Sequence, residues 1–404
     1  MRKNALLYIS SYKFTSIDHY KHEFDVIEKK YNIKIIIHDL SQLLSKRLDS
    51  VFFGKIIKKN YKKFYNLSSW KNAFDKLNSK YNLMVFNSIS RYGFKTIPIN
   101  LHLKKSNVPI IVSPSPQVLD PKLEKNFEFY KYRLRKLFTN PFIVYYYLKI
   151  YCVTFLNSLI NFSHIYILQS GTFKDYSTLN ANKNSVVDFH ARDLSNFLIS
   201  KKKNIKNKSL ITYIDAAGPY FASDWTMVGK KFSFDIAKWY QEINKFLDFV
   251  ETKFKTKVIV IPHPKNRELS NPFFNEDHGR QFDRSTNAST KLIPKSKFVL
   301  SCNSHSTAIT YAIASSTPWL YTYTNQLKTD LRLYVNLVEL AKATGSQTLN
   351  ISKNFKTFDF KNLKINQKKY DEYKYKFLTS KKIKNVPNYK IISKLIFRHF
   401  GKKN

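Results

Sequence analysis

The 404-residue sequence predicts an α/β chain: two Rossmann-like domains facing a cleft, with a C-terminal closing helix. Three observations carry this reading. Short, uninterrupted apolar runs alternate with longer segments of helical periodicity, the pattern of a parallel sheet covered on both faces. A polar, charged stretch then breaks the pattern, and a second such series follows it. The length suits two domains better than one.

The first series opens with a strand at residues 5–9 and a polar, helix-like stretch up to Lys30. Residues 33–38 (IKIIIH) read as the second strand, residues 83–86 and Ile110–Val112 as the third and fourth, and residues 165–169 (IYILQ) as the fifth. The stretch SKKKNIKNKS at 200–209 has no apolar face and reads as the linker, which gives a first domain over 1–199. The second series, over 210–355, begins with a strand at Leu210–Ile214. Between 234 and 254, Ile236, Trp239, Tyr240, Ile243, Phe246, Leu247 and Val250 recur at helical spacing. Strands are expected at Val258–Ile261, 298–300 and Trp319–Tyr323. In the tail, 356–404, Ile391, Ile392, Leu395 and Ile396 share one helical face with lysines opposite, the mark of a closing helix.

Composition narrows the partners. Lys and Arg number 69 against 28 Asp and Glu, a formal net charge of +41, which attracts nucleic acid, anionic lipid or phosphorylated substrates. The competing reading is compositional drift, since Lys, Asn, Ile and Tyr are scattered as an AT-rich genome would scatter them. Aromatic residues at 16% argue against a disordered basic tail. Two cysteines, Cys152 and Cys302, make neither a disulfide framework nor a zinc cluster, and a reducing cytosol fits them. Cys302 reads as a small buried residue and not as a nucleophile. The opening MRKNALLYIS has too short an apolar run for a signal peptide and reads as the first strand. The nearest approach to a membrane span is 142–160, FIVYYYLKIYCVTFLNSLI, but Lys149, Asn157 and three successive tyrosines count against it. A buried helix is one reading of it. A helix lying in the membrane interface, preceded by Arg133, Arg135 and Lys136, is the other.

Ligands of open parallel sheets bind beyond the strand C-termini, so the informative residues lie just after strands. In KVIVIPHPKNRE, Pro262 and Pro264 end the ladder and stiffen the chain around His263. An imidazole held there can bind a phosphate or protonate a leaving oxygen near neutral pH, with Lys265 and Arg267 adding charge. In VLSCNSHSTAITYAIASSTPW, a strand leads into Ser304, His305, Ser306 and Thr307, then Ala308, Ile309, Ala312 and Ile313 at helical spacing. Asn303 or Ser304 is the expected N-cap, and hydroxyls with helix N-terminal amides would make a phosphate site without glycine. Asp215, in ITYIDAAGPY, follows the second domain's first strand and is a candidate general base, sugar contact or turn-stabilising group. Asp224 reads as a helix cap. VVDFHARDL holds Asp188, His190, Arg192 and Asp193 near the domain junction, a weaker acceptor-side candidate. Asp18, His19, His22 and Glu23 form a further loose group after the first strand.

Several patterns are absent. Without GxGxxG or GxxxxGK[ST], dinucleotide and P-loop readings fail. No HExxH or CxxC occurs, and no compact Asp-x-Asp follows a strand, so metal-independent chemistry is expected.

A strand ending in His263-Pro264, followed some 40 residues later by a strand–Ser/Thr–helix unit and a strand begun by Pro318, resembles the GT-B glycosyltransferases. Within them it is similar to bacterial surface-polysaccharide enzymes, including sialyltransferases and polysialyltransferases with an HP motif and a Ser/Thr motif. The resemblance covers roughly 210–323, and the first half matches by layout alone. It implies that His263 contacts the donor's nucleotide phosphate and assists its departure, and that Ser304, Ser306 and Thr307 bind the same phosphate. The family's base lies in a paired-acid-plus-glycine motif. The nearest string here, Asp215-Ala216-Ala217-Gly218, lacks the second acid. A teichoic-acid type of glycerophosphotransferase also carries a His-Pro and a Ser-rich turn, but its Asp-Tyr-Ser-Ser string is not present.

The expectation is therefore a metal-independent glycosyltransferase without a cofactor, the nucleotide sugar serving as co-substrate. A CMP-linked acidic sugar is the implied donor, bound by the second domain through His263, Pro264, Lys265, Ser304, His305, Ser306 and Thr307. Asp215 stands as the other catalytic candidate. A surface glycan or glycolipid acceptor would lie on the first domain, near Asp188 and His190. The enzyme would be cytoplasmic and peripheral on the anionic inner face of the cell membrane. The rival from another class is a basic nucleic-acid-binding protein, but no recognised module appears and the lysines are dispersed.

Overall fold

The computed structural model describes residues 2–44, 55–89, 93–113, 142–172, 185–200, 208–215, 234–264, 270–274, 279–302, 306–383 and 385–401. Strand β1 (Lys3–Ser10) sets the first sheet. Its residues alternate between two buried faces: Ala5, Leu7 and Ile9 enter one core, Leu6 and Tyr8 the other. An apolar run on both faces belongs at the centre of a parallel sheet. Around it lie β2 (Lys34–Asp39), β3 (Tyr61–Lys63), β4 (Tyr81–Ser88), β5 (Ile110–Val112), β6 (Ile165–Ser170) and β7 (Val186–Phe189), in the order β3-β2-β1-β4-β5-β6-β7. The recorded pairings are all parallel.

The second sheet is built from β8 (Leu210–Ile214), β9 (Val258–Ile261), β10 (Gln281–Phe282), β11 (Ser296–Ser301), β12 (Trp319–Tyr323) and β13 (Gln347–Asn350), in the order β10-β9-β8-β11-β12-β13, again parallel. Counted from their own first strands, the sheets run 3-2-1-4-5-6-7 and 3-2-1-4-5-6, with the topological switch between β1 and β4 in one and between β8 and β11 in the other. The long helix Ile236–Phe254 starts at Asp235, whose carboxylate accepts from the Lys238 amide. It buries Trp239, Tyr240, Ile243, Phe246, Leu247 and Val250 against the second sheet, as its spacing predicts.

The closing helix is Asn388–Phe400, and it closes the first domain: Tyr389, Ile392, Leu395 and Ile396 join the core that holds Phe24, Ile27 and Ile35. The return is locked at several points. The Tyr389 amide donates to Glu23 at 2.7 Å, the Asn388 amide to the Ser195 hydroxyl at 2.7 Å, and the Asn388 side chain pairs with the His190 backbone. Gly171, at φ +67°, lies where a Cβ would collide with the Lys376 backbone.

Residues 142–160 differ from the buried-helix expectation. The helix Phe142–Ser158 keeps Val153 and Asn157 buried, but Tyr145, Tyr151 and Phe155 stand 65, 72 and 64% exposed. Among the described residues no helix is long and apolar enough to cross a membrane. Cys302 is buried, as expected, and burial pushes its thiol up to about 12. Residues 201–207 of the expected 200–209 linker, and the expected cap Asp224, lie outside the described residues.

Candidate functional site

A cavity of about 380 Å³, within the range of small-ligand sites, opens beyond the C-terminal ends of strands from both sheets. From the second sheet, β8 delivers Asp215 and β9 delivers Pro262, His263 and Pro264. The Asp215 amide donates to the Ile261 carbonyl at 3.0 Å, which draws those two strand ends together. β11 leads to Ser306, Thr307 and Ala308 on the same wall, and Thr286 and Ser289 line it after β10. From the first sheet, β1 supplies Tyr12, Thr15, Asp18 and Lys21, and β7 supplies Arg192 and Asp193.

The cavity therefore gathers His263, Asp215, Pro264, Ser306 and Thr307 from the residues expected from the sequence. Ser304, His305, Lys265, Asn303 and Arg267 lie outside the described residues. Asp188 is partly buried on β7 and is not among the residues lining the cavity. His190 does not line it either. Its Nδ1 lies 2.7 Å from the Thr379 hydroxyl in the joint that docks the C-terminal helix, and burial pushes its pKa down to about 4. Of the loose group after β1, Asp18 faces the cavity, whereas His19, His22 and Glu23 are buried in the packing behind it.

The Ser/Thr segment also departs from expectation. Regular helix begins only at Ile309 and spans six residues, Ile309–Ala314, so its dipole is small. Residues 306–308 form a turn in which the Ser306 hydroxyl accepts the Ala308 amide at 3.3 Å, leaving its own O–H able to donate. Any grip on an anion from this segment must come from hydroxyls and turn amides more than from a macrodipole.

The first-domain wall carries both signs of charge. The Asp18 carboxylate accepts the Thr15 amide at 2.9 Å and the Thr15 hydroxyl at 2.8 Å, which holds it at the cavity edge. Burial, with Tyr8 and Asp18 nearby, raises the Tyr12 phenol well above its ordinary range, so it stays protonated and donates a hydrogen bond to Asp18 at 3.4 Å. Burial, then the positive charges of Arg192 and Lys21, keep His22 behind this wall uncharged. Asp193 is engaged: the Tyr311 hydroxyl donates to it at 3.2 Å and Lys21 Nζ lies 3.9 Å away. Among the described residues, no group of three or more His, Cys, Asp or Glu side chains is placed to hold a metal ion.

Two Rossmann-like domains joined across such a cleft make the GT-B fold expected from the sequence. No family model matches the chain, and no curated protein matches it. Among solved structures, it is similar to the wall teichoic acid polymerase TagF at 12% identity and TM-score 0.50, over 98% of this chain and 89% of that one. It is also similar to a putative UDP-N-acetylglucosamine 2-epimerase from Listeria monocytogenes, at 10% identity and TM-score 0.46, over 100% and 98%. A third is MurG from Acinetobacter baumannii, at 8% identity and TM-score 0.44, over 98% and 99%. At these identities the likeness is one of fold.

Tyr12, Thr15, Lys21, Thr286, Ser289 and Tyr311 are cavity residues that the sequence reading did not single out. Position after a strand was the available signal for Tyr12 and Thr15, and the hydroxyl-rich run from Ser285 to Thr290 for Thr286 and Ser289.

Proposed function

We propose that the protein is a metal-independent glycosyltransferase that moves a sugar from a nucleotide donor to a surface glycan on a lipid carrier. The observation that carries this reading is that His263, Ser306 and Thr307 reach one cavity with Tyr12 and Asp18 from the opposite domain. The donor's phosphate would lie against His263 and the Ser306 and Thr307 hydroxyls. Charge builds on the leaving phosphate oxygen as the glycosidic bond breaks, and preoriented donors stabilise it most at that moment. His263 is the group suited to give that oxygen a proton or a strong hydrogen bond. The acceptor hydroxyl would approach from the first domain, where Asp18 takes its proton. Asp215, on the donor side, then serves the nucleotide or sugar hydroxyls. From the sequence, Asp215 is one candidate for the base, beside a sugar contact or a turn-stabilising role, and an acceptor-side carboxylate is the expected base. Arg192 and Lys21 give the acceptor side a positive potential that suits an anionic glycan. A CMP-linked acidic sugar is the donor class this reading favours. A lipid-linked acceptor places the enzyme at the anionic inner face of the cell membrane as a peripheral protein.

The experiment is thermal unfolding of the purified protein with CMP, UDP, CDP and GDP, each with EDTA and with Mg²⁺. A nucleotide at a hundred times its Kd adds about 2.7 kcal/mol to the folded state, or roughly 5–10 °C for domains of this size. A shift with CMP in EDTA is the expected result. A shift with CDP-glycerol and CDP, but not CMP, would move the assignment to glycerophosphate transfer. A shift that needs Mg²⁺ would overturn the metal-independent reading, and no shift with any nucleotide would overturn the transferase reading itself.

A further inference from the structure

We infer that the helix Phe142–Ser158, with the adjoining helix Ile97–Lys105, is a surface that docks on an anionic lipid bilayer. Most of the large apolar side chains exposed among the described residues lie here. Val144, Leu148, Tyr151, Phe155 and Leu159 follow one another at spacings of three and four, one stripe of the helix, with Tyr145 beside it. Phe94, which lies under Lys149, and Leu101 on the adjoining helix are exposed as well, at 48 and 43%. A helix apolar on every side is normally buried in a water-soluble protein, so this face needs a cover.

The exposure follows from how the helix is held. Asn157, on the stripe opposite Tyr151 and Phe155, is buried in a chain of side-chain amides. Asn87 donates to Asn100 at 3.0 Å, Asn100 to Asn157 at 2.8 Å, and Asn157 to the Thr96 hydroxyl at 3.3 Å. Turning the helix to hide its outer stripe would break these bonds and strand buried amides without partners. The polar chain therefore fixes the apolar stripe outward.

Charge and composition select the occupant. The helix carries no carboxylate, and its one lysine, Lys149, lies over the Phe94 ring at 5.9 Å. Lys104 and Lys105 stand exposed on the same face of the neighbouring helix as Leu101. Tyrosines and lysines bordering an apolar stripe suit the headgroup level of a bilayer, where rings bury and ammonium groups meet lipid phosphate. A second copy of the chain would bring another +41 of formal charge, whereas an anionic bilayer neutralises it. Among the described residues no helix is long and apolar enough to cross a membrane, and Lys149 and Asn157 interrupt this one. This inference adds a partner surface to the lipid-carrier reading and rests on it only for the acceptor's whereabouts.

The test is co-flotation of the full chain with vesicles of phosphatidylcholine alone or of phosphatidylcholine with about one-third phosphatidylglycerol, whose negative surface attracts basic segments. The wild type is expected to float with the anionic vesicles, and less in high salt. The double variant Leu148→Asp, Phe155→Asp should lose at least tenfold in partitioning while keeping its circular dichroism and its nucleotide-induced thermal shift. Because the nucleotide shift is read separately, loss of docking and loss of the transferase reading are distinguishable. An environment-sensitive dye on exposed Cys152, Cys302 being buried, should shift to the blue with anionic vesicles. Three outcomes would overturn the inference. The first is equal flotation of wild type and variant, or no flotation of either. The second is a wild-type dimer in sedimentation that the variant abolishes. The third is a Cys152 thiol protected in the lipid-free protein, which would mean that the chain itself covers the face.

Discussion

The Tyr311 hydroxyl donates to the Asp193 carboxylate at 3.2 Å, joining the helix after β11 to the helix after β7 across the floor of the cleft. Asp193 is buried, with Lys21 Nζ 3.9 Å from its carboxylate. Tyr311→Phe should destabilise the protein by about 1.5–3 kcal/mol, the worth of a hydrogen bond to a buried charge. Combined with Asp193→Asn, the loss should be less than the sum of the two single losses. Chemical denaturation of the four proteins checks this, and strict additivity would show that the two residues do not interact.

His263→Ala should lower turnover by about 10²–10⁴, the usual worth of a positioned general acid or base. Far-ultraviolet circular dichroism should be unchanged, because the strand ahead of it is held by Pro262 and the β8–β9 pairing. Turnover within twofold of wild type would remove His263 from the chemistry.

Ser306→Ala should weaken nucleotide affinity by about 10–100-fold if its O–H reaches a charged phosphate. Calorimetric titration reads this directly. The turn itself loses only a 3.3 Å bond to the Ala308 amide, so the melting temperature should change little.

Asp18→Asn keeps an oxygen for the Thr15 amide and removes the basic charge. Turnover should fall by about 10²–10⁴ with nucleotide affinity preserved. Asp215→Asn should instead alter nucleotide binding. If the two variants exchange these phenotypes, the base is Asp215.

Burial raises the Glu23 carboxyl from 4.5 to about 7, although it accepts hydrogen bonds from Ser195 and the Tyr389 amide. The folded protein thus keeps a proton that the unfolded chain releases, so Glu23 costs stability as pH rises from 4.5 through 7. The histidines act in the opposite sense. Burial pushes His190 down to about 4 and His38 to about 3, so the unfolded chain gains protons first below pH 6.5 and stability falls as pH drops. The two effects cancel, and stability should peak, at about pH 7. Glu23→Gln should gain up to about 3 kcal/mol over wild type at pH 8 and little at pH 5. Urea titrations at the two values measure it, and an equal effect at both would refute the assignment.

The central strands were legible because they are apolar on both faces. Ile110–Val112, Leu210–Ile214, Val258–Ile261 and Trp319–Tyr323 stand where the apolar runs put them. The edges were not. Tyr61–Lys63, Gln281–Phe282 and Gln347–Asn350 are short and partly polar, as edge strands are, and leave no apolar run to find. In the site, His263 and Asp215 were readable because each follows a strong strand. The opposite wall was harder. Whether Asp18 or Asp188 faces the cleft depends on how the sheets dock, and no local pattern encodes that. For 142–160 the sequence leaves a buried helix and an interfacial one open, and nothing local chooses between them. An all-apolar helix reads as core, and the buried Asn157 that turns its other face outward is legible only with Asn100 beside it.

The helix Asn388–Phe400 lies in the core of the first domain, although the whole second sheet separates it from β1–β7 in the chain. During synthesis, one face of the first sheet stays open until residue 400 has left the ribosome, while the second domain is already free to fold. The nascent chain therefore carries an unsealed apolar surface through most of its translation. The joint of Glu23, Ser195 and Tyr389 is the last piece to assemble, and chaperone dependence should end when it does.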